Sequence, residues 1–593
     1  KQNMGSKGSF NRNYLRMKQH RIFLLILLVF ISSNAFPQPP LSPFTLHPPL
    51  KSDFGLSGSF GEIRTNSFHA GIDFRTGGRI GLPVYASDNG YVSRIKVSSV
   101  GYGKAIYIQH ENGLTTVYAH LHKFSSKIER FVKEQQYKER SFEVVIHLSP
   151  NQIKITKGER IGLSGNSGSS GGPHLHYEVR ETKTQAPLNP SFSNLSITDK
   201  RNPVVKGVWL YGLQNTPSPN TINSRKELNV QQSNNSYICP DTIYTESDFG
   251  LSIEAYDYVN SQSLRCGVYA IKMFVNDTLH YHFSIDKFSF SQTRYANSHI
   301  DYALRQETGK RAHKLFVEPN NQLGLYKALK RNGAIIMQPD SIYNILVEIF
   351  DAYDNKSTLA IVAKGLSHVA TPTQKIIPAE QTNGILWPYF QQNELSINHF
   401  SIVMPSHALY SSMYFTYQIE ENPEFEYGPI VSIHNPLTPV HKNYSLAINT
   451  TNLPEKLKEK ALAVFINDKN EIEAIGGNYS NGKISTYVNF FGRFAVAVDT
   501  IAPTIKLINP KNQNDYRNEA SINFIVKDNL SGISNIEGLI DGEWALFEYD
   551  KKNDFVFYEF DKLRLEEGKQ HTILLKVSDA KNNSSVYESW FVW

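Results

Sequence analysis

The run GNSGSSGGPHLHYEVR, from Gly165 to Arg180, constrains this chain more tightly than any other stretch. A glycine- and serine-rich segment that cannot sustain a helix gives way to an apolar/polar alternation, so it reads as a loop feeding a strand. Successive strand side chains alternate faces, which puts His174 and His176 on one face, able to reach the same metal ion or reacting group. A His-x-His pair also occurs as ordinary solvated or packed histidines, so two further runs carry weight. FHAGIDF (Phe68 to Phe74) holds His69 and Asp73 at an even spacing, expected to share a strand face, and TVYAHLHK supplies His120 and His122. Three such segments within one domain length point to a shared site. Parity does not tell His174 from His176.

Around these runs, Lys51 to about Asn189 is strand-like with frequent turns. Asp88-Asn89-Gly90 and Glu111-Asn112-Gly113 are hairpin-type signals. One interruption, KIERFVKEQQYKER (Lys127 to Arg140), reads as a surface helix inside an insertion over about 123–156. Its apolar anchors are few (Ile128, Phe131, Val132, Tyr137), so light packing is expected, as a lid over the site or as surface decoration.

At 593 residues the chain exceeds one hydrophobic core, and several domains are expected. Met17 to Ala35, a basic start followed by the apolar run Ile22 to Ile31 and small residues, reads as a signal peptide over 17–35, with 1–16 upstream of a plausible start at Met17. Ten apolar residues are short for a membrane span, so export with no transmembrane span after signal removal is expected, with an uncleaved N-terminal anchor as the alternative. Residues 36–50 form a proline-rich, extended lead-in. The site-bearing domain covers 51–195.

Beyond it the texture is β-rich throughout. Asp199-Lys200-Arg201-Asn202-Pro203 and Asp499-Thr500-Ile501-Ala502-Pro503 open two related stretches. Each continues through a strand reaching an Asp (Asp257; Asp528) and closes on a similar turn (Asp351 to Ser357; Asp579 to Ser585). This repeat predicts immunoglobulin-like β-sandwiches over 196–370 and 499–593, with a β domain of unknown type over 371–498. Asx turns account for the aspartates, with calcium ligation as the alternative. The expected fold class is therefore mainly β. Cys239 and Cys266 are the two cysteines, a possible pair in an exported protein. The formal net charge of +6 is small for this length and no basic stripe accompanies it, so nucleic acid is not an expected partner.

Histidines and a carboxylate with an open coordination position suit catalytic zinc, which activates water and polarises an amide carbonyl. HExxH is absent, so the site is not carried on a zincin helix. Taken in order, FHAGIDF, IQHENGLTTVYAHL and KGERIGLSGNSGSSGGPHLHYEVR resemble the lysostaphin/LytM-type zinc metallopeptidases over about residues 52–190. That resemblance implies a compact antiparallel β core of the duplicated hybrid motif type and one Zn²⁺ held by His69, Asp73 and His176. It implies His120 and His174 as catalytic residues beside the metal-bound water and the scissile carbonyl. His110 matches a position that looks structural, His122 and His147 are expected at the surface, and Glu178 shares the parity of the histidine pair. The insertion is longer than the family's usual connection.

The resemblance further implies a metalloendopeptidase acting on the peptide crosslinks of peptidoglycan, in the periplasm or cell envelope. The C-terminal β domains would then bind a wall polymer or protein partner. Two alternatives stay open: a non-catalytic wall-binding or hydrolase-activator protein, and an adhesion protein carrying the peptidase as a passenger. A carrier domain, suggested by VYASDNGYVSRI, would need a modifiable lysine on a tight hairpin, and none is visible.

Overall fold

The computed structural model describes residues 45–51, 55–195, 197, 199–213, 225–259, 264–366 and 384–593. The expected signal peptide over 17–35 and most of the lead-in lie outside the described residues.

In the site-bearing region, β1 (Leu56–Gly58), β2 (Ile63–Arg64), β3 (Ser67–Phe68), β4 (Ile72–Arg75), β5 (Pro83–Tyr85), β6 (Gly90–Val97) and β7 (Lys104–His110) lead to β8 (Leu114–Leu121). After β9 (Lys123–Phe124) come helix α1 (Ser126–Glu139), β10 (Val144–His147), β11 (Lys154–Ile155), β12 (Arg160–Leu163), β13 (His174–Glu181) and β14 (Pro187–Leu188). The main sheet runs β1-β4-β13-β8-β7-β6-β10, with β11 beside β6 and β14 beside β13. A small sheet, β5-β12-β9, accompanies it. The central strands β8 and β13 pair antiparallel from His176 opposite Ala119 to Glu181 opposite Leu114. Both are buried along nearly their whole length.

Two tyrosines lock this centre. Tyr118 and Tyr177 meet edge to face at 5.4 Å. Both hydroxyls reach Ser87, whose N–H donates to Tyr118 and whose Oγ accepts from Tyr177. Burial of a large apolar side chain contributes roughly 1.5–3 kcal/mol, so this face fastens β8 to β13. Alternation then turns His176, Glu178 and Arg180 to the opposite face.

The two turn signals have different outcomes. Glu111-Asn112-Gly113 closes the β7–β8 hairpin, with Gly113 at φ +80° and Asn112 Oδ1 accepting from Leu114 N–H. Asp88-Asn89-Gly90 closes no hairpin: it carries the chain from β5, in the small sheet, to β6, in the main one. Tertiary pairing decides this, because a Cβ on Gly90 would lie 2.1 Å from Gln109 O, and Asn89 O is taken by His110 Nδ1 at 2.8 Å.

Helix α1 falls where the sequence places it but does not pack lightly. Ile128 and Val132 are fully buried, and Gln136 Nε2 donates to Phe142 O at 2.7 Å. Its other side meets the end of the chain: Tyr137 stands edge-on to Trp544 at 5.1 Å, the Arg564 guanidinium lies 3.4 Å over the Tyr137 ring, and Lys133 pairs with Asp561 at 2.8 Å. These partners are some 400 residues away in sequence, beyond any local pattern.

The rest of the chain is mainly β, as its texture predicts. Residues 204–365 form a four-stranded and an eight-stranded sheet. Here Ser236–Ile238 and Ile243–Thr245 run parallel to Lys356–Gly365, and helical turns between Phe290 and Thr308 depart from a plain sandwich. Those turns brace β3: Phe68 N–H donates to Thr293 Oγ1 at 2.9 Å and Asn297 Nδ2 to Asn66 Oδ1 at 2.8 Å. Residues 385–498 hold two five-stranded sheets around a shared core in which Trp387 stacks on Phe415. Residues 504–592 hold two four-stranded sheets around Phe524, Phe547, Leu575 and Phe591. Cys239 and Cys266 do not pair. Both are free and buried, and burial pushes their thiols up to about 11 and about 12.

Candidate metal centre

β13 sets His176 opposite Asp73 of β4. Asp73 Oδ1 lies 2.9 Å from His176 Nδ1 and 3.1 Å from His69 Nε2, and the two nitrogens are 3.0 Å apart. Every donor group is tied from behind. His69 Nδ1 bonds Ser59 O at 2.7 Å, His176 Nε2 bonds Glu178 Oε1 at 2.8 Å, and Arg64 Nη2 donates to Asp73 Oδ2 at 2.9 Å. A ring nitrogen that donates outward leaves the other nitrogen's lone pair inward, so three lone pairs converge. Their spacing is close to the ~3.3 Å that separates tetrahedral ligands with bonds of about 2.0–2.1 Å. This trio is a group that can hold a metal ion.

His69 arrives by a different route from the one its spacing suggests. It lies between β3 and β4 rather than in one strand with Asp73. The chain folds back through Gly71, where a Cβ would lie 2.2 Å from Tyr177 O. Close backbone approach, not strand alternation, brings His69 to Asp73.

His120 and His174 stand together at the edge of the trio, their rings 4.8 Å apart. His120 Nδ1 bonds Ser167 O at 2.9 Å and His174 Nδ1 bonds Gly172 O at 2.9 Å. His174 Nε2 lies 3.5 Å from Asp73 Oδ1. His120 has φ +58°, a left-handed conformation that costs a non-glycine residue about 1–3 kcal/mol and is tolerated where surrounding structure enforces it. That kink ends the alternation of β8, so His122 is exposed and lines a cavity with Glu548 and Glu559 instead of facing the trio. His110 is structural, bridging Asn89 O and Thr116 Oγ1. His147 is exposed.

Behind the trio runs a buried charge relay that residue spacing only partly shows. Glu178 is fully buried, with Oε2 on Arg180 Nε at 2.5 Å and Oε1 accepting from the Tyr102 hydroxyl as well as from His176. Burial alone would raise Glu178, but Arg180 and His176 hold it at about 2. Burial would lower His176, but its bonds to Asp73 and Glu178 raise it to about 9, so metal binding here must displace a proton. Burial would raise Asp73 too, yet the three histidines keep it well below the usual carboxylate range. Burial lowers His120 to about 3, with His176 and His174 adding to the shift, so it is neutral at pH 7. Arg180 shares the parity of Glu178 and was open to detection. Tyr102, Ser59, Arg64 and Ser167 carry no sequence signal: Tyr102 acts from a loop, Ser59 and Ser167 through backbone carbonyls, and Arg64 from a two-residue strand too short to show a pattern.

A model of peptidase family M23 matches residues 67–137, and one of the Zu5-like domain matches residues 385–499. A Neisseria meningitidis protein, "DD-carboxypeptidase/endopeptidase Mpg", is 36% identical over 128 residues, 22% of this chain and 23% of that protein. "Peptidoglycan DD-endopeptidase ShyA" of Vibrio cholerae is 36% identical over 137 residues, 22% of this chain and 26% of that one. Among solved structures, the catalytic domain of lysostaphin from Staphylococcus simulans is 23% identical, covering 23% of this chain and 90% of that one at a TM-score of 0.17. This chain spans about a quarter of the length of the curated relatives it matches. Residues 67–137, which carry β4 and β8 with His69, Asp73 and His120, thus belong to a LytM-type domain of peptidase family M23.

Proposed function

We propose that this chain is an exported zinc-dependent metalloendopeptidase that hydrolyses peptide crosslinks of peptidoglycan. The observation that carries the reading is the convergence of His69 Nε2, Asp73 Oδ1 and His176 Nδ1 within 3.1 Å of one another. The donor set, two imidazoles and one carboxylate with outward hydrogen bonds, fits zinc. Zinc held there supplies a Lewis acid and lowers the pKa of bound water.

The chain's own groups do the rest. Glu178 and Ser59 O hold the tautomers of His176 and His69. His120 and His174 both donate Nδ1–H to backbone carbonyls, which leaves Nε2 as the working atom. Neutral His120 can take a proton there, and His174, once protonated, can hold the oxygen of the scissile carbonyl as charge develops. The relatives named DD-endopeptidases favour a crosslink between D-configured centres as the bond cut. Export rests on the segment over 17–35. Among the described residues no helix is long and apolar enough to cross a membrane.

The test is zinc content together with digestion of purified muropeptide dimers by the full chain. About one zinc per chain is expected for a mononuclear site, with crosslinks cut, and His69→Ala or Asp73→Ala losing both. Undiminished zinc in both variants would overturn the ligand set. A zinc-loaded wild type that cuts no muropeptide would leave the non-catalytic wall-binding reading.

A further inference from the structure

Outside the peptidase site, the two halves of the sequence repeat each gather three aspartates. Asp199, Asp257 and Asp351 form one cluster and Asp499, Asp528 and Asp579 the other, each with carboxylate oxygens within 4.8 Å of one another. Asp199 precedes the first strand of its β region, Asp257 follows the strand Phe249–Tyr256, and Asp351 follows the strand Ile342–Phe350. Three segments distant in sequence therefore meet at the end of the sheets where the chain enters from the peptidase domain.

The first cluster has a second feature that Asx turns do not explain. Asp257 is 3% exposed, and its Oδ1 has no hydrogen-bond partner. Asp351, by contrast, is well served: Oδ1 accepts from Tyr353 and Asn355 N–H, and Oδ2 from Asn355 Nδ2. A buried carboxylate with an unpartnered oxygen, grouped with two more carboxylates, is costly unless a proton or a cation compensates it. Burial pushes Asp257 up to about 8, with Asp351 and Asp199 adding to it, although Arg201 is near enough to oppose them. The Arg201 guanidinium lies over the Tyr258 ring at 4.8 Å.

The chemistry of the donors selects the ion. The cluster offers carboxylate oxygen from three residues and no imidazole, which suits a hard cation. Ca²⁺ takes 6–8 oxygens at about 2.3–2.6 Å in flexible geometry, so oxygens up to roughly 4.8 Å apart can share one ion. We propose that Asp199, Asp257 and Asp351 form a calcium site that fastens the entering chain to the first C-terminal β region. Asp528, the counterpart of Asp257 in the other cluster, also has an unpartnered Oδ1, but the residue is only partly buried, and its Oδ2 accepts from Leu530 and Gly532 N–H. The proposal is therefore confined to the first cluster.

The location gives the site a structural consequence. Asp257 exchanges both backbone hydrogen bonds with Cys266, and the next residue, Gly267, donates N–H to Ser59 Oγ at 2.8 Å. Ser59 is the residue whose carbonyl holds His69. Calcium would thus stiffen the seam between the peptidase domain and the β region behind it.

The experiment uses the full chain, zinc-loaded and otherwise freed of divalent ions, with Ca²⁺ alone as the probe. Equilibrium dialysis should show Ca²⁺ uptake, and thermal unfolding should shift upward by several degrees when Ca²⁺ is added. Asp257→Asn should lose one equivalent of Ca²⁺ and that upward shift. Its melting temperature without Ca²⁺ should equal or exceed that of the wild type, because one of three repelling carboxylates is gone. Asp528→Asn should keep the equivalent that Asp257→Asn loses. His69→Ala should also keep it, which separates this site from ions held in the peptidase domain. No uptake by wild type at millimolar Ca²⁺, or equal uptake by Asp257→Asn, would overturn the proposal.

Discussion

His120 and His174 show how much of a site turns on single atoms. Their Nδ1 atoms are held by the backbone of the glycine-rich loop, and neither supplies one of the three converging donor atoms. His120→Ala and His174→Ala are therefore expected to retain zinc while losing peptidoglycan hydrolysis by roughly 10²-fold or more, read by metal analysis beside a muropeptide assay. Loss of metal in His174→Ala with retention in His176→Ala would reverse the two assignments. Glu178→Gln makes a different prediction. The amide presents no charge to His176 or Arg180, so zinc affinity should fall by about 10–100-fold, measured by competition with a chromogenic chelator. Gly71 tolerates no side chain, since a Cβ would lie 2.2 Å from Tyr177 O, and Gly71→Ala should lose the site together with the local fold.

At the scale of elements, helix α1 is a bracket rather than a free lid. One side is buried through Ile128 and Val132, and the other is held by Asp561, Arg564 and Trp544. Replacing Ser125 to Pro150 with a short linker should therefore lower the melting temperature as well as change access to the site. A variant of unchanged stability would restore the picture of surface decoration. Acid sensitivity belongs to another element. His299 is fully buried, stacked on Phe283 at 4.2 Å, with Nε2 2.8 Å from His313 Nδ1. Burial drives His299 well below the histidine range, with His313 and Lys314 adding to it, and brings His313 to about 4. Both folded values lie below the unfolded value of about 6.5. The unfolded chain thus takes up protons first on acidification. The associated stability is complete above about pH 6.5 and is lost as pH falls towards 4. For His313 this amounts to about 2 kcal/mol at pH 5, and His313→Asn should flatten the fall seen in denaturation midpoints between pH 7 and 5.

Across the whole molecule, the peptidase domain is held from two sides. Thr293, Asn297 and Arg311 brace the segment that leads to His69, the last of them through Glu62 at 3.0 Å. On the other side, Lys104 pairs with Glu548 at 2.9 Å, Lys123 with Glu559 at 2.6 Å, and Lys552 donates to the carbonyls of Asn166 and Ser170 in the glycine-rich loop. The Lys104–Glu548 pair is largely buried, so Glu548→Ala should loosen this docking by on the order of 3 kcal/mol, because it strands a buried ammonium. Limited proteolysis of residues 499–593 would show it. Truncation after residue 195 is correspondingly expected to cost stability. A truncated domain that melts like the full chain would show that these contacts contribute nothing.

The sequence alone determined whatever depends on local periodicity. The alternation of HLHYEVR turns His176, Glu178 and Arg180 to one face, KIERFVKEQQYKER forms a helix, and the β texture runs through the rest of the chain. The aspartates of the repeat were visible as recurring positions. Tertiary structure decided what depends on contacts between distant segments. It brought His69 to Asp73 through a backbone crossing at Gly71, bent β8 at His120 so that His122 parts from it, and denied a hairpin to Asp88-Asn89-Gly90. It also buried Asp257 between two other carboxylates and clamped α1 against the end of the chain. The division has a physical cause. Side-chain direction along one strand or helix follows from backbone geometry that neighbouring residues set, whereas burial, backbone crossing and charge pairing arise only when segments far apart in sequence occupy the same space.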